Sequence, residues 1–290
     1  MTLLPGAART VRVDDTEIFV RTMGSGPPVL LLHGYPQTGV MWHKVAPALA
    51  AQHTLIIPDL PGYGRSLASG GPARFTKRRM AADMVALMAE LGHSAFHVVG
   101  HDRGGRVAYR LALDHPAAVR KLAVLDIVPT GALWSAFTVA RGLAYYHWLF
   151  LAQPAPLPER LIGADPIFFL ETTMAAWTKA KSLKAFAPDA MDDYRRAFSN
   201  PATIAASCDD YRAGATLDRA DDDATTAPIL APTLVLWGAH FSAGGGGSPL
   251  DVWQDWARNV TGAGLDSGHF VAEEAPEETL SHLLPFLAGG

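Results

Sequence analysis

The chain has one cysteine in 290 residues, Cys208. A lone thiol excludes a disulfide framework within the chain and fits a reducing compartment; its simplest role is that of a small buried hydrophobe. There is little excess of either charge: 24 basic residues face 28 acidic ones, for a formal net charge of −4. No basic run interleaves with aromatics, so nucleic acid is not an expected partner. The N-terminus lacks a basic stretch followed by a continuous apolar core, and no signal peptide is expected. The most apolar stretch, residues 131–152, is interrupted by Arg141 and His147. A charge in mid-bilayer is costly, so a packed helix is expected there rather than a membrane span. No His/Cys cluster has metal-ligand spacing and no phosphate loop is present, so neither a metal nor an organic cofactor is expected. These absences leave a soluble, cytoplasmic protein acting on a small molecule.

What is present is an alternation of buried strands and helices. Val29–Leu32 and Leu55–Ile57 are short, all-apolar runs of the kind found inside parallel sheets. Residues 11–22 read as part of a hairpin, with Gly24-Ser25-Gly26 as a turn signal. An amphipathic helix is expected over 77–91, then strands at 96–99 and 122–125 with a helix between them. Sheet character stops after Pro129 and returns at 233–237, followed by a short edge element at 263–266 and a terminal helix over 276–287. The expectation is an α/β fold, a mostly parallel sheet flanked by helices. Its core is split between residues 1–129 and 226–290, with a helical cap at 130–225. The glycine run 244–247 is expected to be a flexible loop.

Residues 100–105, Gly-His-Asp-Arg-Gly-Gly, lie between the strand at 96–99 and the following helix. A strand, a sharp turn eased by small neighbours and a helix make a nucleophile elbow, which exposes its central side chain. Here that side chain is Asp102, where a serine would make an esterase. A fixed, desolvated carboxylate can displace a leaving group from saturated carbon and leave an ester that water later cleaves. An aspartate at this point could also simply cap the helix. Arg103 and Arg106 share one face of the first helical turn, a strong site for an anion such as a substrate carboxylate. Arg110 continues the run as a structural residue. His269, after the last strand, is the candidate general base, and its position distinguishes it among 11 histidines.

The order nucleophile, acid, histidine is that of the α/β-hydrolases, which the whole chain resembles from about residue 10 onward. The run His101–Arg106 resembles the fluoroacetate (haloacetate) dehalogenase family of that superfamily. Leu125–Thr130, Tyr146-His147-Trp148, Gln153–Pro156 and Asp210–Gly214 are similar to it as well. The resemblance implies hydrolytic dehalogenation of short 2-haloacids. It assigns Asp126 as the triad acid, because no acid lies in the Gly238–Phe241 region where many hydrolases of this fold carry it. It also assigns His147, Trp148 and Tyr211 as halide donors, and it implies a homodimer. The fold further implies an oxyanion hole from the backbone amides of Tyr35 and Arg103, in service of the second step. Tyr145 and Tyr146 are expected to be packing residues and Trp177 a pocket wall, while Trp42 either lines the acid pocket or packs in the core.

Two alternatives stay open. An epoxide hydrolase would use the same Asp/His pair with cap tyrosines, but an epoxide has no charge for Arg103 and Arg106 to meet. A non-catalytic binding protein on the same fold would bind haloacid or hydroxyacid without turnover.

Overall fold

A computed structural model describes residues 3–240 and 248–288. The expected loop at 244–247 lies outside the described residues. Eight strands form one sheet: β1 (Ala7–Val13), β2 (Thr16–Met23), β3 (Pro28–Leu32), β4 (Thr54–Pro58), β5 (Phe96–His101), β6 (Val119–Leu125), β7 (Thr233–Gly238) and β8 (Val260–Leu265). Their spatial order is β1-β2-β4-β3-β5-β6-β7-β8. The β1–β2 and β2–β4 pairs are antiparallel and every later pair is parallel. All six residues of β5 are buried, His97 and His101 included, so both faces of the sheet centre are covered. The last strand does lie at the sheet edge, but starts three residues earlier than the expected element, at Val260.

Local signals explain the flanking helices. Thr76 caps Lys77–Glu90, its hydroxyl accepting from the Arg79 amide. Asp102–Asp114 packs against that helix and against β5 and β6, with residues 102–112 buried throughout. Arg110 pairs with Asp114 one turn on and with Thr225, the structural role expected of it. Cys208 is fully buried.

Between β6 and β7 the chain carries eight α-helices and no strand. The single packed helix expected over 131–152 is instead three short ones, Thr130–Ser135, Val139–Ala144 and Tyr146–Leu151. Thr138 is the reason for one break, since its hydroxyl caps a fresh turn by accepting from the Arg141 amide. The middle piece buries none of its residues, and Val139 and Leu143 are 84% and 75% exposed. No helix among the described residues is long and apolar enough to cross a membrane.

Candidate active site

The carboxyl ends of β5 and β6 and the segment after β8 meet inserted helices around one small cavity, at the end of the sheet where parallel folds place their ligand sites. The turn from β5 into its helix is tight because two glycines allow backbone contact. A Cβ on Gly100 would lie 2.5 Å from the Gly104 carbonyl, and one on Gly104 would lie 2.3 Å from that of His33. Asp102 itself has φ +47°, in the left-handed region that branched or bulky residues avoid. Asp126 is at φ +54°, so both carboxylates sit on strained backbone.

Asp102 Oδ1 accepts from the Tyr35 amide at 2.8 Å. Its Oδ2 stands 3.9 Å from His269 Nε2, beyond direct hydrogen bonding. On the other side of the ring, His269 Nδ1 is 2.5 Å from Asp126 Oδ2. Asp126 Oδ1 accepts from the Gly238 amide at 3.0 Å. The base is held along its backbone as well: its amide donates to the Trp177 carbonyl, and its carbonyl accepts from His101 Nε2, both at 2.9 Å. Nucleophile, base and acid candidates, far apart in sequence, thus form one line of contacts.

The electrostatics divide the two carboxylates. Burial pushes Asp102 upward, but His269, His101, Arg103 and Arg106 outweigh it and hold the carboxyl below its ordinary range. Burial dominates at Asp126 and leaves it raised despite its bond to His269. Burial alone would lower His269, yet its bond to Asp126 and the charges of Asp126 and Asp102 raise it above its ordinary value. The arrangement therefore offers an ionised carboxylate beside an imidazole whose protonated form is stabilised.

The cavity is small, about 20 Å³. Asp102, Arg106, His147, Trp148, Trp177 and His269 are among its walls. Arg106 donates to the Val128 carbonyl (3.0 Å) and the Thr130 hydroxyl (2.9 Å), while its Nε has no hydrogen-bond partner. Its guanidinium lies 4.5 Å from the Trp148 ring centre. Burial pushes the His147 imidazole down to about 3, so it is neutral, and its Nδ1 has no hydrogen-bond partner. Tyr211 is not on the wall. It packs edge-on behind His147 and Trp148, with centroids 5.7 and 5.6 Å away and its buried hydroxyl unpaired.

Arg103 departs most from expectation. Its side chain is absent from the cavity wall and fully buried, donating from Nε to Asp210 Oδ2 at 3.0 Å and from Nη2 to Asp210 Oδ1 at 2.5 Å. Nη2 also donates to the Asp210 carbonyl at 2.8 Å, and only Nη1 lacks a partner. Lys77 and the Tyr63 hydroxyl bind the same carboxylate. Burial would raise Asp210, but Arg103 and Lys77 drive it far below the usual carboxylate range. The motif holding Tyr211 offered Asp210 by proximity alone; no sequence signal tied Lys77 and Tyr63 to it.

One open alternative closes and one expectation changes. Trp42 is fully buried in the core and takes no part in the cavity wall, being held in the turn Gly39–Lys44. Tyr146 is 47% exposed rather than packed, because the short helix it starts turns His147 and Trp148 inward and Tyr146 outward. Tyr145 does pack, against the cavity, and Trp177 is a wall. Gly34 was missed: a Cβ there would lie 2.5 Å from Asp102 Cβ.

A parallel sheet with a helical insertion, an acidic elbow and a late histidine defines a hydrolase, and residues 27–276 match the model of the alpha/beta hydrolase fold. A fluoroacetate dehalogenase from Burkholderia sp is 44% identical over 97% of this chain and 93% of its own. The chain belongs to the haloacetate dehalogenase family of the α/β-hydrolases. A soluble epoxide hydrolase from Corynebacterium sp. (strain C12) is 34% identical, covering 92% of each chain. Among solved structures, a Nostoc sp PCC 7120 protein provisionally described as an alpha/beta hydrolase superposes with TM-score 0.97 at 45% identity, covering 100% of both chains.

Proposed function

We propose that this hydrolase converts short 2-haloacids to 2-hydroxyacids, fluoroacetate and water giving glycolate, fluoride and a proton. The observation that carries this is the wall of the cavity above Asp102. Its free volume of about 20 Å³ is on the scale of one or two waters, and it pairs an ionised carboxylate with the Arg106 guanidinium. So small a site with a cation in its wall favours the shortest acids over a substituted, uncharged epoxide. The Burkholderia relative's activity supports the same substrate class.

In the first step an Asp102 carboxylate oxygen attacks the substrate α-carbon from the side opposite the halogen. The carbon–oxygen bond forms as the carbon–halogen bond breaks, and the electron pair leaves with the halide. Arg106 on the wall holds the substrate carboxylate, and Arg103, bound to Asp210 off the wall, adds its positive charge from behind. A departing fluoride needs donors in place of water; His147 and Trp148 on the wall carry imidazole and indole groups for it, and the unpaired phenol of Tyr211 packs behind them. In the second step His269 takes a proton from water, whose oxygen adds to the Asp102 ester carbonyl. The amides of Tyr35 and Arg103 receive the oxyanion. Collapse breaks the ester bond and expels the alkoxide. Of the two protons of the water, one on His269 beside Asp126 and one on the added hydroxyl, one passes to the alkoxide and the other to solvent, which restores neutral His269 and the Asp102 carboxylate. Residues 130–225 act as the cap that closes this chemistry from water, over a core of residues 1–129 and 226–290.

Halide release from fluoro- and chloroacetate, with Asp102→Asn as control, tests the proposal. Turnover of styrene oxide without any haloacid turnover would replace it with the epoxide hydrolase reading, which the Corynebacterium relative and Tyr145 on the cavity wall favour.

A further inference from the structure

Glu273 is a buried acid with no part in the chemistry above, its side chain entirely shielded from solvent. Its surroundings join three separate pieces of the molecule. Oε2 accepts from Gln37 Nε2 and from the Tyr194 hydroxyl, the latter at 3.2 Å. Gln37 closes the turn that presents the Tyr35 amide to Asp102, its own amide donating to the Gly34 carbonyl at 3.0 Å. Tyr194 belongs to the inserted helix Pro188–Phe198. Glu273 itself sits in the single-turn helix Val271–Glu274, which begins two residues after His269. Its carbonyl accepts from Lys44 Nζ at 2.7 Å, and the same ammonium donates to Ala185 of the insertion, also at 2.7 Å.

We infer that Glu273 is a positioning residue, whose buried carboxyl ties the loop facing the nucleophile, the segment carrying the base and the inserted helices into one geometry. The inference rests on the Asp102/His269 reading of the site but not on the identity of the substrate. The groups facing the carboxyl are His43 and Lys44 from the turn Gly39–Lys44, Tyr194 from the inserted helix, and Glu274 beside it. The His43 imidazole is 3.8 Å away and is itself lowered by burial. Lys44 turns its ammonium to backbone carbonyls, and the burial of Tyr194 raises its phenol. Burial pushes Glu273 up to about 8, against the pull of Gln37, Lys44 and Tyr194. Gln37 suits a neutral partner: its Oε1 lacks a hydrogen bond, and rotating the amide would let that oxygen accept from a protonated Glu273.

The pH consequence has a definite sign. A carboxyl raised on folding binds more protons in the folded state than in the unfolded state between its two pKa values. Stability therefore falls as pH rises from about 4.5 to about 8 and is flat beyond, as far as this group is concerned. Above about 8 the junction gains a buried negative charge that Gln37, Lys44 and Tyr194 only partly offset, and the site loosens.

The test is a pH–rate profile of the wild type, Glu273→Gln and Glu273→Ala, with a thermal melt of each across the same range. With the ionised form inactive, wild-type kcat at pH 9 is expected about tenfold below its plateau. Glu273→Gln, scaled to its own plateau, is expected to lose less than about twofold there, and its melting temperature to lose the decline between pH 5 and 8. Glu273→Ala is expected to lower kcat about tenfold with KM changed less, and Gln at this position to recover most of that loss. An alkaline limb and a melting profile in Glu273→Gln that match the wild type overturn the inference. Absence of halide release from the wild type at every pH overturns the functional proposal instead. The melting profiles then decide on Glu273, because its titration on folding does not depend on the substrate.

Discussion

Replacing Asp126 with asparagine tests the division of labour in the site most directly. The change preserves shape: the Gly238 amide keeps an oxygen acceptor, and a side chain still meets His269 Nδ1. What it removes is a negative charge beside an imidazole that must become positive when it takes a proton from water. With the charge centres about 4 Å apart and an effective dielectric constant of about 20, the lost interaction is about 4 kcal/mol. That corresponds to a fall of roughly a thousandfold in ester hydrolysis. The displacement step needs no base, because the Asp102 carboxyl is already held in its ionised form. In Asp126→Asn the covalent ester should therefore accumulate. Intact-protein mass spectrometry after mixing with fluoro- or chloroacetate should find one carboxymethyl group per chain, located on Asp102. Steady-state halide release should fall to the rate of the second step, with a first-turnover burst. The pH profile gives an independent reading. Asp126 is a principal cause of the raised His269 value, so its loss moves the acid limb of the rate to lower pH. Retention of more than a tenth of the wild-type rate, or loss of activity without ester accumulation, would refute the assignment of acid and base.

Asp210→Asn leaves Arg103 and Lys77 buried without their shared anion, and is expected to destabilise the fold by about 3–5 kcal/mol, read from denaturant titration. Because folding lowers the Asp210 pKa, its contribution is complete above the ordinary carboxylate range and fades only in strong acid, so the deficit should be present throughout neutral pH. Gly34→Ala drives a methyl to 2.5 Å from Asp102 Cβ and 2.8 Å from His101 Nδ1. It should lower kcat at least tenfold while the melting temperature changes by only a few degrees; an unimpaired kcat would show that the loop yields without moving the nucleophile.

The reach of the sequence is clearest at the elbow. Gly100, Asp102 and Gly104 announced a strand–turn–helix because the local backbone has few other ways to satisfy an apolar strand, two small residues and an amphipathic helix in succession. The all-apolar runs Val29–Leu32 in β3 and Leu55–Ile57 in β4 announced a covered parallel sheet for an equally local reason. The 131–152 stretch misled because composition alone does not register a capping threonine that restarts the helix at Val139. Tyr146 misled, and Trp42 stayed open between pocket and core, because an aromatic residue carries no indication of the direction in which its element turns.

Sequence by itself determined the strand and helix order, the acid at the elbow and the family to which the chain belongs, since these depend on hydrophobic period and on residues a few positions apart. Tertiary structure alone decided which charges meet. Arg103 reads as a free cation beside the nucleophile, yet folding brings Asp210 from 107 positions away to occupy it. Glu273 reads as one acid in a short acidic run, yet folding buries it against Gln37, 236 positions distant. The physical reason is common to both. Burial multiplies the consequence of a charge and its partner, and burial is a property of how the elements pack, which no local pattern specifies.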